Sequence, residues 1–215
     1  MSTRKRLLRV LSWPLQSDFD ELTVQVSPSS RIVEHHFTHT TVLFVDIQNF
    51  TSTCALLGPA NTGTWIQTFY DTVHALCDKH HALLVELRGD CCVCAARGSL
   101  QASNILALCR DLHELLGERY ALRMGVTTGA VNFLKGPTTL CAYGSTSQTA
   151  DALQALTAPG VALVHWATLS RWGHEKGQSS VMLTRLVQDR QGRSLQVADY
   201  DLRCGAFVAR RSVTF

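Results

Sequence analysis

Two short stretches constrain this chain more than any others: Val42-Leu43-Phe44-Val45-Asp46-Ile47-Gln48-Asn49-Phe50-Thr51 and Glu86-Leu87-Arg88-Gly89-Asp90. Each leads from an apolar, strand-forming run to an aspartate at a turn. Thr40 to Val45 is dominated by β-branched and aromatic residues, which suits a buried strand, and Asp46 follows where that strand ends. Leu83 to Arg88 predicts a second strand, Gly89-Asp90 a tight turn, and Cys91 to Ala96 the returning strand of a hairpin. A fold that sets both strand ends at one sheet edge brings two carboxylates together, a donor set suited to holding divalent metal against phosphate. Taken singly, Asp46 reads as a helix cap and Asp90 as a turn residue, roles in which aspartate is common.

The periodicity of the remaining chain predicts helices between the strands. Gly58, Pro59 and Gly63 break the chain after the first strand. Thr64 to His80 then reads as a helix with Trp65, Phe69, Val73, Leu76 and Cys77 on one stripe. Ser103 to Leu116 is a second helix burying Ile105, Leu106, Cys109, Leu112 and Leu116. Strands are expected at Leu122 to Thr128 and near Thr138 to Tyr143, followed by a helix from about Thr146 to Leu156. This order implies an α+β sandwich with a mixed sheet.

A chain of 215 residues suffices for one domain and an extension. Its 17% charged and 46% hydrophobic residues describe a globular protein. A net charge of +3 with no basic block beyond the N-terminus excludes a nucleic-acid partner. No apolar stretch reaches the roughly 20 residues that cross a bilayer, so no transmembrane segment is expected. Cys92 and Cys94 point to one face of their strand and Cys91 to the other, so Cys91 and Cys94 do not form half of a zinc site. Buried thiols in a reducing, cytoplasmic compartment are the expectation. Arg4, Lys5, Arg6 and Arg9 stand among Leu7, Leu8, Val10, Leu11 and Trp13. That pattern suits an organelle presequence, a membrane-surface helix, a docking helix, or an amphipathic segment lying on the domain. Residues 16 to 37 read as a connector with one short strand at Leu22 to Val26. His35, His36 and His39 stand in an extended entry segment with only Glu34 beside them and no thiol, which favours solvated or capping roles over a metal cluster.

Taken in order, four motifs resemble those of class III nucleotidyl (guanylyl/adenylyl) cyclase catalytic domains. They are Phe44 to Thr51, Glu86 to Asp90, Leu122-Arg123-Met124-Gly125-Val126-Thr127-Thr128-Gly129, and Cys141-Ala142-Tyr143-Gly144 followed by a helix. The resemblance covers roughly residues 38 to 200. It divides the chain into an N-terminal extension, 1–37, and a cyclase-like domain, 38–215. The implied fold is a mixed β-sheet with a ferredoxin-like βαββαβ core flanked by helices. Asp46 and Asp90, with the Ile47 carbonyl, match the positions that bind two ions, Mg or Mn. Those ions hold the triphosphate and activate the ribose 3′-hydroxyl for attack on the α-phosphorus. Asn49, Phe50 and Thr51 match the phosphate loop, with Asn49 where glycine is usual. Glu86 and Cys141 match the guanylyl rather than the adenylyl pattern, which implies GTP as ligand. A carboxylate accepts from guanine N1 and N2, whereas adenine N1 is itself an acceptor.

The departures from the family pattern are as informative as the matches. Aligning Gly144 puts Gln148 where the family has the ribose-orienting asparagine. Ala152 stands where it has the arginine that stabilises phosphoryl charge. Losing one preorganised donor costs about 10²–10³ in rate. The chain is therefore expected to be weakly active or inactive alone and to depend on a partner subunit, in a homodimer or in a heterodimer whose partner supplies both residues. The alternative is a pseudo-cyclase that binds nucleotide or scaffolds a larger assembly. Arg88, at an otherwise apolar strand position, has no role in this reading.

Overall fold

Alternating burial along one long central strand organises the molecule. In the computed structural model, which describes residues 33–136, 139–177 and 184–209, β1 (Val33–Ile47) lies between two antiparallel neighbours, β3 (Cys91–Ala96) and β4 (Leu122–Lys135). Leu43, Val45 and Ile47 face one apolar cluster, while Val42 and Phe44 face a second on the opposite side. Asp46 falls on the second side by the same alternation. The expected N-terminal basic helix, the Leu22–Val26 strand and the connector before Val33 lie outside the described residues.

β2 (Leu83–Arg88) closes the hairpin with β3 and forms one edge of the sheet. Beyond β4 come β6 (Val161–His165), parallel to it, then β8 (Ser194–Asp201) and β7 (Arg185–Gln188). β5 (Leu140–Tyr143) pairs with the far end of β4, and β9 (Ala206–Val208) with β8. The order β2-β3-β1-β4 is the ferredoxin-like core that the sequence implied. Helices α1 (Phe50–Lys79), α2 (Gln101–Leu116) and α4 (Trp166–Lys176) cover the first face. α3 (Ser145–Leu156) packs on the other through Ala150. Among the described residues no helix is long and apolar enough to cross a membrane.

The helical stripes read from periodicity are the buried ones, Trp65 through Cys77 in α1 and Ile105 through Leu116 in α2. Cys92 and Cys94 lie under the helices and Cys91 faces away, with Cys77 Sγ 3.5 Å from Cys94 Sγ. Other expectations need correction. Helix α1 starts at Phe50, not Thr64. Of the three expected breakers only Gly58 leaves helical geometry, at φ 73° and ψ 165°, and Pro59 restarts the helix where no N–H is required. β1 begins at Val33, so the 37/38 boundary falls inside it, at a bulge between Phe37 and Thr40. His35, His36 and His39 are therefore strand residues, and His36 bonds Asn132 across the ladder. This part of β1 is half-exposed and lacks a hydrophobic alternation, so only its pairing with the extended β4 reveals it. The elements after Leu156 were not read from the sequence, although β6 is an apolar run buried from Val161 to Val164.

Buried carboxylates tie the helices and the outer strands. Glu175 of α4, with 1% of its side chain exposed, accepts the backbone N–H groups of Ala102 and Ser103 and so caps α2 from a distance of over seventy residues. Asp111 of α2 receives Lys79 at 2.6 Å, His80 at 2.8 Å and Arg110 at 3.2 Å, joining the end of α1 to α2. Burial alone would raise its pKa, but these donors outweigh it and bring the carboxyl down to about 2. Gly125 of β4 marks the closest approach of α3. A Cβ there would stand 2.2 Å from the Ala150 carbonyl oxygen and 2.3 Å from the Gln154 nitrogen.

The folded pKa of Asp111 lies below the ordinary carboxylate value of about 3.9, so its contribution is present above that value and fades as pH falls toward 2. Asp111→Asn should lose about 1–2 kcal/mol at pH 7, discounted because Lys79 is largely exposed. Urea unfolding at pH 7 and pH 3 measures it, and the gap to the wild type should narrow at the lower pH. Gly125→Ala should destabilise by about 1–3 kcal/mol or more, because backbone must move, and thermal unfolding reads the loss.

Candidate functional site

The end of β1 and the β2–β3 turn are stitched together by backbone. Ile47 N–H donates to the Asp90 carbonyl at 3.3 Å, and Gln48 N–H to that of Ala121 at 2.8 Å. The Tyr70 hydroxyl of α1 donates to the Gly89 carbonyl and holds the turn, where Gly89 takes φ 61°. These contacts bring Asp46 and Asp90 together. Burial pushes the Asp90 carboxyl up. The charge of Asp46 and a hydrogen bond between the two side chains push it further, against lowering by its own backbone N–H and by Arg123.

Arg123 of β4 completes this cluster. It stands opposite Asp46 in the ladder and donates to Asp46 Oδ2 through Nε at 3.1 Å and through Nη2. Its guanidinium balances one of two crowded carboxylates, so the site favours positive charge. Sequence reasoning quoted Arg123 within a motif without giving it a part. The available signal was a lone charge between Leu122 and Met124, both fully buried. Among the described residues no three His, Cys, Asp or Glu side chains gather as a metal centre. Two carboxylates this close are hard oxygen donors of the kind a divalent cation takes.

Beside this cluster α1 begins. Asn49 adopts the left-handed conformation, φ 60° and ψ 27°, so it fills the glycine-like position without a glycine, which asparagine tolerates better than most residues. Thr53 N–H reaches the Asn49 carbonyl, and the N–H groups of Phe50, Thr51 and Ser52 precede the first intrahelical bond. No acidic side chain occupies this first turn. Such a helix start suits an anion.

A second group lies farther along the same sheet face. Glu86 pairs opposite Val93, a member of the second apolar cluster, and is bound by Arg88 in a fork: Nε to Oε1 at 3.1 Å, Nη2 to Oε1 at 3.0 Å and Nη2 to Oε2 at 2.9 Å. Arg88 is thereby held more firmly protonated, first by that hydrogen bonding and then by the charge of Glu86, with a smaller contribution from Asp151 of α3. Gln148 is exposed on α3 and Ala152 half-buried, flanking Asp151. Cys141 is half-buried on β5, opposite Leu134, between Leu140 and Ala142, which pack on the second cluster. Two arginines at the outer strands, Arg185 and Arg193, are engaged with Asp199 and Asp189.

In Asp46→Asn the Asp90 carboxyl should titrate lower, because one neighbouring negative charge is gone and Arg123 is freed toward it. Carboxyl carbon NMR across a pH series reads that shift.

A model of the adenylate and guanylate cyclase catalytic domain family matches residues 32–181. No curated protein matches the chain. Among solved structures, the guanylate cyclase domain of RhGC from Catenaria anguillulae, in complex with GTP, is 17% identical, with a TM-score of 0.66 over 82% of this chain and 100% of that one. The adenylyl cyclase CyaB from P. aeruginosa is 16% identical, with a TM-score of 0.66 over 83% and 97%. A non-canonical dimeric guanylyl cyclase domain of the RhoGC fusion protein from Blastocladiella emersonii is 17% identical, with a TM-score of 0.64 over 78% and 97%. At these identities the likeness speaks for the fold.

Proposed function

The chain belongs to the adenylate and guanylate cyclase catalytic domain family, and from that footing we propose that it is a guanylyl-type domain that binds metal-loaded GTP at Asp46 and Asp90 but turns it over poorly alone. The observation that carries this reading is the convergence of Asp46, Asp90 and Arg123 beside the open helix start at Asn49, Phe50 and Thr51. Bound divalent metal, Mg or Mn, would supply charge neutralisation for the triphosphate. Asp46 and Asp90, with the Ile47 carbonyl, are the groups to hold it. Arg123 would then exchange its carboxylate partner for phosphate oxygens, which a guanidinium binds equally well. The first N–H groups of α1 would donate to the same phosphates.

Glu86 is the group that favours guanine, by accepting from N1 and N2, with Cys141 at the second base position. A solved domain similar to this chain is a dimer of non-canonical form, which supports a paired arrangement with a second copy or another cyclase-type domain. On α3 Gln148 and Ala152 cannot supply what an asparagine and an arginine would. Gln148 carries its amide one methylene farther, and Ala152 has no donor. Ala152 also supports a second reading, a pseudo-cyclase that binds nucleotide and acts through its assembly.

Calorimetric titration with manganese should show GTP binding more tightly than ATP, and at least about ten-fold weaker in Asp46→Ala or Asp90→Ala, in line with loss of a metal ligand. Turnover by the isolated chain should be near background. Gln148→Asn with Ala152→Arg should raise it by about 10²–10³ if catalysis is only missing donors. Vigorous turnover by the unmodified chain would refute the degenerate-site reading, and no gain in the double variant would favour the pseudo-cyclase.

A further inference from the structure

The fork between Arg88 and Glu86 has no part in the reading above. It lies on the residue that reading assigns to the base. Strand β2 sets the two side chains on one side, two residues apart, and three N–H···O contacts of 2.9–3.1 Å hold them together. Glu86 is 23% exposed, whereas 68% of the Arg88 side chain is open to solvent. An arriving ligand therefore meets the guanidinium at least as readily as the carboxylate.

We propose that Arg88 is a specificity-determining residue, and that Glu86 and Arg88 read the base jointly as one donor–acceptor edge. This rests on the assignment of Glu86 to the base position. The inventory of the pair is complementary to guanine. An ionised carboxylate has about four acceptor sites, and Oε2 receives only one of the N–H contacts from Arg88, so it retains room for the N1 and N2 donors. Arginine has five N–H donors, and the fork engages only Nε and Nη2, so Nη1 remains for the O6 acceptor. Guanine presents that acceptor beside those donors. Adenine presents a donor where guanine has O6, facing the guanidinium, and an acceptor at N1, facing the carboxylate, so both halves of the pair reject it. The fork also fixes both side chains before binding, which lowers the ordering cost of recognition.

The test is calorimetry with manganese on the full chain, using GTP, inosine triphosphate, 2-aminopurine riboside triphosphate and ATP. Inosine keeps O6 and lacks the 2-amino group; 2-aminopurine keeps the amino group and lacks O6. Arg88→Val should weaken GTP and inosine triphosphate alike by about ten-fold, the size of one lost charge-assisted hydrogen bond, and leave 2-aminopurine riboside triphosphate within two-fold. Arg88→Lys, which retains a donor but not the fork, should recover part of the loss, and its recovery separates recognition from misfolding. Unchanged GTP binding in Arg88→Val would overturn the proposal and make the fork a surface ion pair. Tighter GTP binding would overturn it too, with Arg88 then masking Glu86. A wild-type chain that does not distinguish GTP from ATP would instead overturn the guanine assignment on which the proposal rests.

Discussion

The pairing of β1 with β3 on one side and β4 on the other is the constraint from which the site follows. Those two ladders place Asp46 opposite both Cys91 and Arg123. They set the β2–β3 turn against the end of β1, so Asp90 arrives beside Asp46 without any direct covalent proximity. The strands are held in register by burial on two faces, and a one-residue slip would move Asp46 under the helices and Val45 to the site. The same hydrophobic alternation that builds the core therefore also aims the carboxylate.

Electrostatics at the strand ends is balanced by arginine. Asp46 and Asp90 repel each other in a half-buried setting, and Arg123 relieves part of that cost. The same device recurs in Glu86 with Arg88, in Asp199 with Arg185 and in Asp189 with Arg193. These pairs differ in what they leave open. Arg185 and Arg193 join partners whose carboxylates are almost wholly buried and so serve the outer strands. Arg123 and Arg88 lie at carboxylates that a ligand can reach, where exchange of partners costs little because each lost contact is replaced by another of like strength.

In the proposed reading, helix α3 is the element that lacks the usual donors. Gly125 admits its backbone to close range of β4, and Ala150 and Leu153 anchor it. It is thus firmly placed, with Gln148 exposed and Ala152 half-buried on it. The proposed deficiency would then be one of side-chain chemistry on an intact frame.

Much of this was legible in the residues themselves. The Thr40–Val45 run, the Gly89-Asp90 turn and the Trp65 and Ile105 stripes carry strong local periodicity, and each became the element it predicted, because burial on a defined face leaves a repeating mark in sequence. Asp46 and Asp90 were recognisable as strand-end carboxylates for the same reason. The start of β1 at Val33 and the first turns of the helix from Phe50 carry no such mark, since both are exposed or half-buried; the buried apolar run of β6 does carry one and was left unread. Arg123 on Asp46, Tyr70 on the Gly89 carbonyl and the distant cap from Glu175 were decided by tertiary structure alone. Each joins groups far apart in the chain, and ion pairs and single hydrogen bonds of that kind impose no periodicity that a linear reading can detect. Even the Arg88 fork, though its partners are only two residues apart, depended on the strand that turns both side chains to one face and on the exposure that only the folded edge reveals.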